Sequence, residues 1–175
     1  MVRQALTALL RLPLPYPLLA FLFARRVAIR GRSMYPTLAP GEYVLFDRLA
    51  YRQRPPDRGD VVLASHPSTP NVRIVKRVVA LPGDRVAVEG GELRINGTPY
   101  GEGLLSGEPS PVEGWMLGED EYFLLGDAPS LSTDARHFGP VSGKEIEARA
   151  WLVYWPPGRM RTVRGRPELA SEAER

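Results

Sequence analysis

The 175-residue chain contains no cysteine, which excludes a disulfide framework and every chemistry that depends on a thiolate, nucleophilic or metal-binding. Histidine is nearly missing as well: His66 and His137 are the only imidazoles, and neither sits in a recognisable ligand spacing, so no metal site is expected. Long hydrophobic runs are also absent. Ala5 to Phe23 is largely apolar, but Arg11 and the prolines Pro13, Pro15 and Pro17 interrupt it. Its uncharged part, Leu12 to Ala24, falls short of the roughly 20 residues a helix needs to cross the hydrocarbon core. An interfacial anchor or a short, kinked span fits this stretch, the alternative being an N-terminal arm packed on its own domain. A charged n-region, apolar core and small-residue exit do not follow in order, which argues against a cleaved signal peptide. No internal repeat is present. Nor is there a paired-cysteine finger or an aromatic RNA-binding motif, so the net charge of +3 is not read as a sign of a nucleic-acid partner. The arginines near the two ends suit phosphate headgroups equally well.

What the chain does have is 18 prolines and 17 glycines spread between short apolar runs, the pattern of a β-rich domain with many turns. Strands are expected at Val27 to Ile29, Tyr43 to Phe46, Val61 to Ala64, Val72 to Ala80, Arg85 to Val88, Glu92 to Ile95, Tyr122 to Leu125 and Ala148 to Trp155. Turn chemistry separates them at Pro40-Gly41, Gly59-Asp60, Pro82-Gly83-Asp84, Gly90-Gly91 and Asn96-Gly97, the last pair favouring a tight hairpin. Gly101 to Gly118 reads as an exposed loop, and Pro156-Pro157 ends the last strand. The expected organisation is an apolar and basic anchor segment over 1–26, one β-rich domain over 27–159 and a mobile charged tail over 160–175.

Three segments could carry chemistry. Gly31 to Leu38 places Ser33 directly after a β-type run and before a proline-fixed turn, a geometry that presents a hydroxyl. Serine is common in turns for its local hydrogen bonds, and a nucleophilic serine also needs a base. Around Lys76, period-two alternation puts Val72, Ile74, Lys76, Val78 and Ala80 on one face and Arg73, Val75, Arg77 and Val79 on the other. The solvated cations are thus expected on the second face, with Lys76 the misfit among apolar neighbours. Such a lysine either snorkels at a sheet edge or, if buried, loses proton affinity and becomes a base for a nearby hydroxyl. The third segment is the polar loop Gly126 to Gly139, where Ser132 is placed to hydrogen-bond the Lys76 amine and Asp134 and Arg136 to form a structural ion pair. A Ser-His-Asp arrangement through His137 and Asp134 is the competing reading, but it leaves Lys76 unexplained.

In this order the segments resemble the signal peptidase I family of Ser-Lys proteases, including its mitochondrial inner-membrane and nickel superoxide dismutase maturation relatives. Ser33 in S-M-Y-P-T-L is similar to the nucleophile box, Gly59-Asp60-Val61-Val62 to the next, and Lys76 in K-R-V-V-A-L-P-G-D to the general-base box. The run from Gly126 to Gly139 is similar to the closing box, with Ser132 at the lysine-orienting position. Ala128 stands where the family usually has Asn, Ala135 where Ser often precedes the Arg, and Gly31 where some members carry a hydroxyl that helps to bind the oxyanion. The resemblance implies a compact, mainly β fold of short antiparallel strands with an N-terminal apolar helical anchor and without the large extra β-domain of longer members. It implies a serine endopeptidase that removes leader peptides from precursor proteins, with Ser33 as nucleophile and backbone oxyanion donor, Lys76 as base, and Ile29 and Met34 lining pockets for small residues. No cofactor or metal is implied. The implied partners are precursor proteins and membrane lipid, with the catalytic domain membrane-associated and outside the cytoplasm.

Arg25, Arg26, Arg30 and Arg32 follow the apolar segment and outnumber Arg3 and Arg11, which by the positive-inside tendency argues for a cytoplasmic domain instead. Trimming of one particular precursor is the nearest functional alternative. A self-cleaving repressor would need a DNA-binding helical unit that the first thirty residues lack. A non-catalytic peptide- or membrane-binding β-module is the reading from another class.

Overall fold

The structure, a computed structural model, describes residues 16–52, 54–69, 71–89, 92–100 and 113–165. An apolar helix, α1 (Tyr16–Phe23), precedes the strands β1 (Arg25–Ala28), β2 (Tyr43–Asp47), β3 (Val61–Ser65), β4 (Arg73–Ala80), β5 (Arg85–Glu89) and β6 (Glu92–Ile95). Then come β7 (Thr98–Pro99), β8 (Glu113–Met116), β9 (Glu121–Leu125), one helical turn α2 (Ala135–Phe138), β10 (Val141–Ser142), β11 (Ile146–Trp155) and β12 (Arg161–Thr162). The larger sheet has the order β1-β2-β11-β3-β4-β9-β10, with β12 on β11, and the smaller one the order β7-β6-β5-β8. The expected mainly β, antiparallel architecture is what forms. The Asn96-Gly97 hairpin joins β6 to β7 with both residues at positive φ, a conformation that glycine and asparagine adopt most readily.

The sheet order fixes the working surface. Every neighbour from β1 through β2, β11 and β3 to β4 is antiparallel, so β1 and β4 point the same way. β1 lies at the end of this order, and β4 pairs with β9 only from Arg77 onward. Among the described residues its first half, Arg73 to Lys76, therefore keeps one edge unpaired. Two parallel, open edges face one cleft, and a chain laid between them would find backbone donors and acceptors on both sides.

Alternation drives burial in the long strand β11, where Ile146, Ala148 and Ala150 are buried and their neighbours are not. Val44, Phe46, Leu63, Ala148 and Ala150 form one core cluster with Met34 and Leu38. A second joins the small sheet to β9 through Val86, Leu93, Ile95, Phe123 and Leu125. A third, including Val62, Val78, Leu124 and Ile146, lies between β3, β4 and β9.

Several expected boundaries move. Glu113–Met116 is a strand on β5, not loop, because Trp115 packs against Phe123 with ring centroids 5.0 Å apart; residues 101–112 lie outside the described residues. The tail begins later than residue 160. Arg161–Thr162 pairs with β11, and the Arg161 guanidinium reaches buried Glu42 through two bonds of 2.9 Å and the Thr37 carbonyl at 2.6 Å. A charged segment thus stays ordered where a buried carboxylate receives it; residues 166–175 lie outside the described residues. At the other end β1 already starts at Arg25, inside the segment expected to be anchor. Of that segment, residues 1–15 lie outside the described residues. α1 rests on the domain through buried Ala20 and a 2.5 Å bond from the Tyr16 hydroxyl to Asp47, while Leu18, Phe21, Leu22 and Phe23 stay exposed. Among the described residues no helix is long and apolar enough to cross a membrane.

Candidate active site

Lys76 sits in the middle of β4 opposite Val62, 4% exposed, and donates a 2.9 Å hydrogen bond to the Ser132 hydroxyl. Burial lowers the pKa of its amine from the ordinary lysine value, since a desolvated ammonium has lost its water shell. Asp134 opposes this, Arg136 reinforces it, and Asp127 opposes it again.

Arg77 corrects the sequence expectation. Alternation assigned it to a solvated face, yet it is 1% exposed. Its guanidinium clasps Asp127 at 2.7 and 2.6 Å, the Gly59 carbonyl at 2.7 Å and the Thr37 hydroxyl at 3.1 Å. A planar fork of donors with that many acceptors in place tolerates burial, whereas alternation only reports which way the side chain leaves the strand. Arg73, on the same face, is partly exposed as expected.

Ser33 lies in a tight turn after β1. The Leu38 N–H bonds the Met34 carbonyl at 2.8 Å, Met34 and Leu38 are buried in the core, and the Ser33 carbonyl accepts the Ala128 N–H at 3.0 Å. This last bond stitches the Ser33 turn to the closing loop. Ser33 and Lys76 line one cleft of about 680 Å³ that runs between β1 and β4, with Ile29 and Met34 also on its wall. Both of the latter are largely buried, at 7% and 2% exposure, so each offers the cleft a limited apolar surface.

The closing loop is organised by Asp134. It caps α2, accepts the Gly126 N–H at 3.0 Å and holds Arg136 through bonds of 2.8 and 2.9 Å. Burial alone would raise its pKa, but the bonds from Arg136, from the Gly126 N–H and from the Ser132 hydroxyl outweigh this and keep it below the ordinary carboxylate range. The Ser132 hydroxyl, by donating its one proton to Asp134, is left to accept from Lys76. An N–H of the amine is thereby turned toward Ser132.

His137 is exposed and its Nδ1 accepts the Asp134 N–H in a capping box, while Asp134 is taken by Arg136. The pair serves the helix start, a poor arrangement for a Ser-His-Asp relay. Among the described residues no three side chains of His, Asp or Glu are grouped to hold a metal.

Sequence reasoning missed the Arg77 clasp, although Arg77 and Asp127 lie in the Lys76 and Gly126 boxes. It also missed Gly126 itself: a Cβ there would overlap the Ser132 hydroxyl and come within 2.6 Å of the Ser33 carbonyl oxygen. Gly126→Ala is therefore expected to push Ser132 off the amine, destabilise the protein by about 1–3 kcal/mol and reduce turnover more than substrate binding. Thermal melts and separate kcat and KM values would check this.

The sequence matches the family model described as "Signal peptidase, peptidase S26" over residues 2–155. It is 33% identical over 141 residues to Signal peptidase I of Leptolyngbya laminosa, covering 75% of this chain and 69% of that protein. It is 30% identical over 138 residues to Probable signal peptidase I-2 of a Synechocystis species, covering 75% and 63%. The chain thus spans about two thirds of the length of these relatives. A solved structure of a signal peptidase I from Enterococcus faecalis aligns at 27% identity with a TM-score of 0.44, over 54% of this chain and 95% of that one.

Proposed function

Because the chain belongs to the signal peptidase family, peptidase S26, we propose that it is a serine endopeptidase removing N-terminal leader peptides from precursor proteins, with Ser33 as nucleophile and Lys76 as general base. The observation that carries this reading is the buried Lys76 amine, fixed by Ser132 in the same cleft that Ser33 lines. With one N–H turned to Ser132, the amine has its lone pair free for the proton of the Ser33 hydroxyl.

In this mechanism Ser33 Oγ attacks the scissile carbonyl as its proton passes to Lys76 Nζ. The oxyanion meets the Ser33 backbone N–H, the ammonium returns its proton to the departing amine, and an acyl-enzyme remains. Water, deprotonated by the same amine, then releases the leader peptide as a carboxylate. The leader lies extended between the open edges of β1 and β4, its small residues against Ile29 and Met34. Ser132 orients the amine, and the Asp134–Arg136 pair holds Ser132 in place. The exposed apolar side of α1 and the adjacent arginines suit a lipid surface. Membrane association is accordingly part of the reading, with the catalytic domain outside the cytoplasm.

The experiment is labelling with a serine-directed acylating probe, followed by intact-mass and peptide mapping. One adduct at Ser33 is expected. Its rate should climb with pH as Lys76 loses its proton, and level off below the pH at which an ordinary lysine titrates, because burial lowers the amine's pKa. An unlabelled Ser33, or a rate indifferent to Lys76→Arg, would sink the dyad.

A further inference from the structure

The end of the cleft away from Ser33 is built of charge. Arg25 opens β1 and Arg73 opens β4, one on each wall, and a single carboxylate joins them. Glu147 of β11 accepts Arg25 NH1 at 2.6 Å, Arg73 Nε at 2.8 and 3.1 Å, and the Ser65 hydroxyl at 3.1 Å. Two guanidinium groups thus share one negative charge, and Arg26 and Arg30 add two more positive charges to the lining. Both guanidinium groups of the bridge are partly exposed, at 36% and 43% of their side-chain surface. Glu147 engages Arg73 through Nε and Arg25 through one terminal nitrogen, so N–H groups on each remain available to a further acceptor.

We propose that Arg25, Arg73 and Glu147 form a subsite that selects a carboxylate side chain four or five residues before the scissile bond of the precursor. The proposal rests on the Ser33–Lys76 reading above. The placement follows from strand geometry. Arg73 and Lys76 are three residues apart on β4, about 10 Å of extended chain. Ile29, assigned to the small residues before the cut, lies on the Arg25 side of Ser33, so the leader runs along the cleft toward the arginines. The residue just before the cut, where it passes Lys76, therefore has its third or fourth predecessor, the fourth or fifth residue before the scissile bond, beside Arg73. There a carboxylate adds a second acceptor to two under-neutralised guanidinium groups, and a lysine meets three or more like charges.

The test uses three precursor peptides that differ only at those two positions, carrying glutamate, glutamine or lysine. With the full chain at low ionic strength, kcat/KM is expected to favour glutamate over lysine by about tenfold, the two-sided effect of partly exposed ion pairs, and the ratio should shrink in 1 M salt. Arg73→Gln should bring the ratio to within about twofold, whereas Glu147→Gln, which frees both guanidinium groups, should widen it. Equal cleavage of all three peptides at the intended bond would overturn the subsite and leave the protease reading standing, as would an Arg73→Gln variant that slows all three alike. No cleavage of any peptide together with no probe adduct at Ser33 would overturn both.

Discussion

Lys76→Met is expected to abolish peptide cleavage, with a loss on the order of 10⁴-fold or more in kcat, and at the same time to raise the melting temperature. The two effects share one cause. Met fills nearly the same volume along β4 among Val62, Val78 and their neighbours, but carries no amine to be desolvated. The native amine has its pKa lowered by burial, while in the unfolded chain it recovers the ordinary lysine value. Below that ordinary value the unfolded state holds a proton that the folded state gives up or holds at a cost, so stability rises with pH through this group. The penalty is complete below the lowered pKa and disappears once pH exceeds the ordinary one. Removal of the amine should thus stabilise the protein near neutrality, and a gain of about 1 kcal/mol would appear as ~2–4 °C in a chain of this size. The gain should fade as melts are repeated toward pH 10 and above. Ser132 would lose the donor it accepts from, yet it keeps its bond to Asp134, so the loop should stay closed. A variant that melts lower at every pH would mean that Lys76 is a structural cation, and the argument for a neutral base would fail.

Much of this architecture is legible before folding because it is local. A serine after a β-run, a lysine among valines and a Gly-bounded polar loop each declare themselves within a dozen residues, and the ion pair of Asp134 with Arg136 spans only two positions. The strands that period-two patterning marks clearly are found within one or two residues of their expected ends. What stays hidden is non-local. The two parallel edges of the cleft exist only because β11, a hundred residues further along than β2, inserts between β2 and β3. Without that insertion β1 and β4 have no reason to face each other. The same distance conceals Glu147, which no sequence pattern links to Arg25 or Arg73. β8 escapes notice for a different reason: it is four residues long and is anchored by Trp115 against Phe123 of the other sheet, a contact that no local period announces.

Arg77 is the sharpest instance, and its replacement is expected to have the largest effect on stability. Its guanidinium binds three separate segments at once: Thr37 in the turn that carries Ser33, Gly59 before β3, and Asp127 in the loop that carries Ser132. Arg77 and Asp127 have 2% and 4% of their side-chain surfaces exposed. Arg77→Met leaves the Asp127 carboxylate buried without its counter-charge, and removal of one partner from such a pair costs about 3–5 kcal/mol. For this chain length that corresponds to a fall on the order of 10 °C or more in Tm. Arg77→Lys should fall between, since a point charge on a flexible stem cannot bond a carboxylate in two places while also meeting a carbonyl and a hydroxyl. The decisive comparison is the double variant Arg77→Met with Asp127→Leu. It removes both charges, so most of the lost stability should return. Full activity should not return, because the clasp that drew the Ser33 turn and the Asp127 end of the closing loop onto β4 is gone, and the Lys76–Ser132 bond holds only the loop to β4. Thermal melts with kcat for the single and double variants separate these contributions. A double variant that regained both stability and full turnover would show that Arg77 only compensates a charge, and that the register of the Ser33 and Ser132 segments is set by the Ala128 to Ser33 backbone bond, the Lys76–Ser132 bond and core packing.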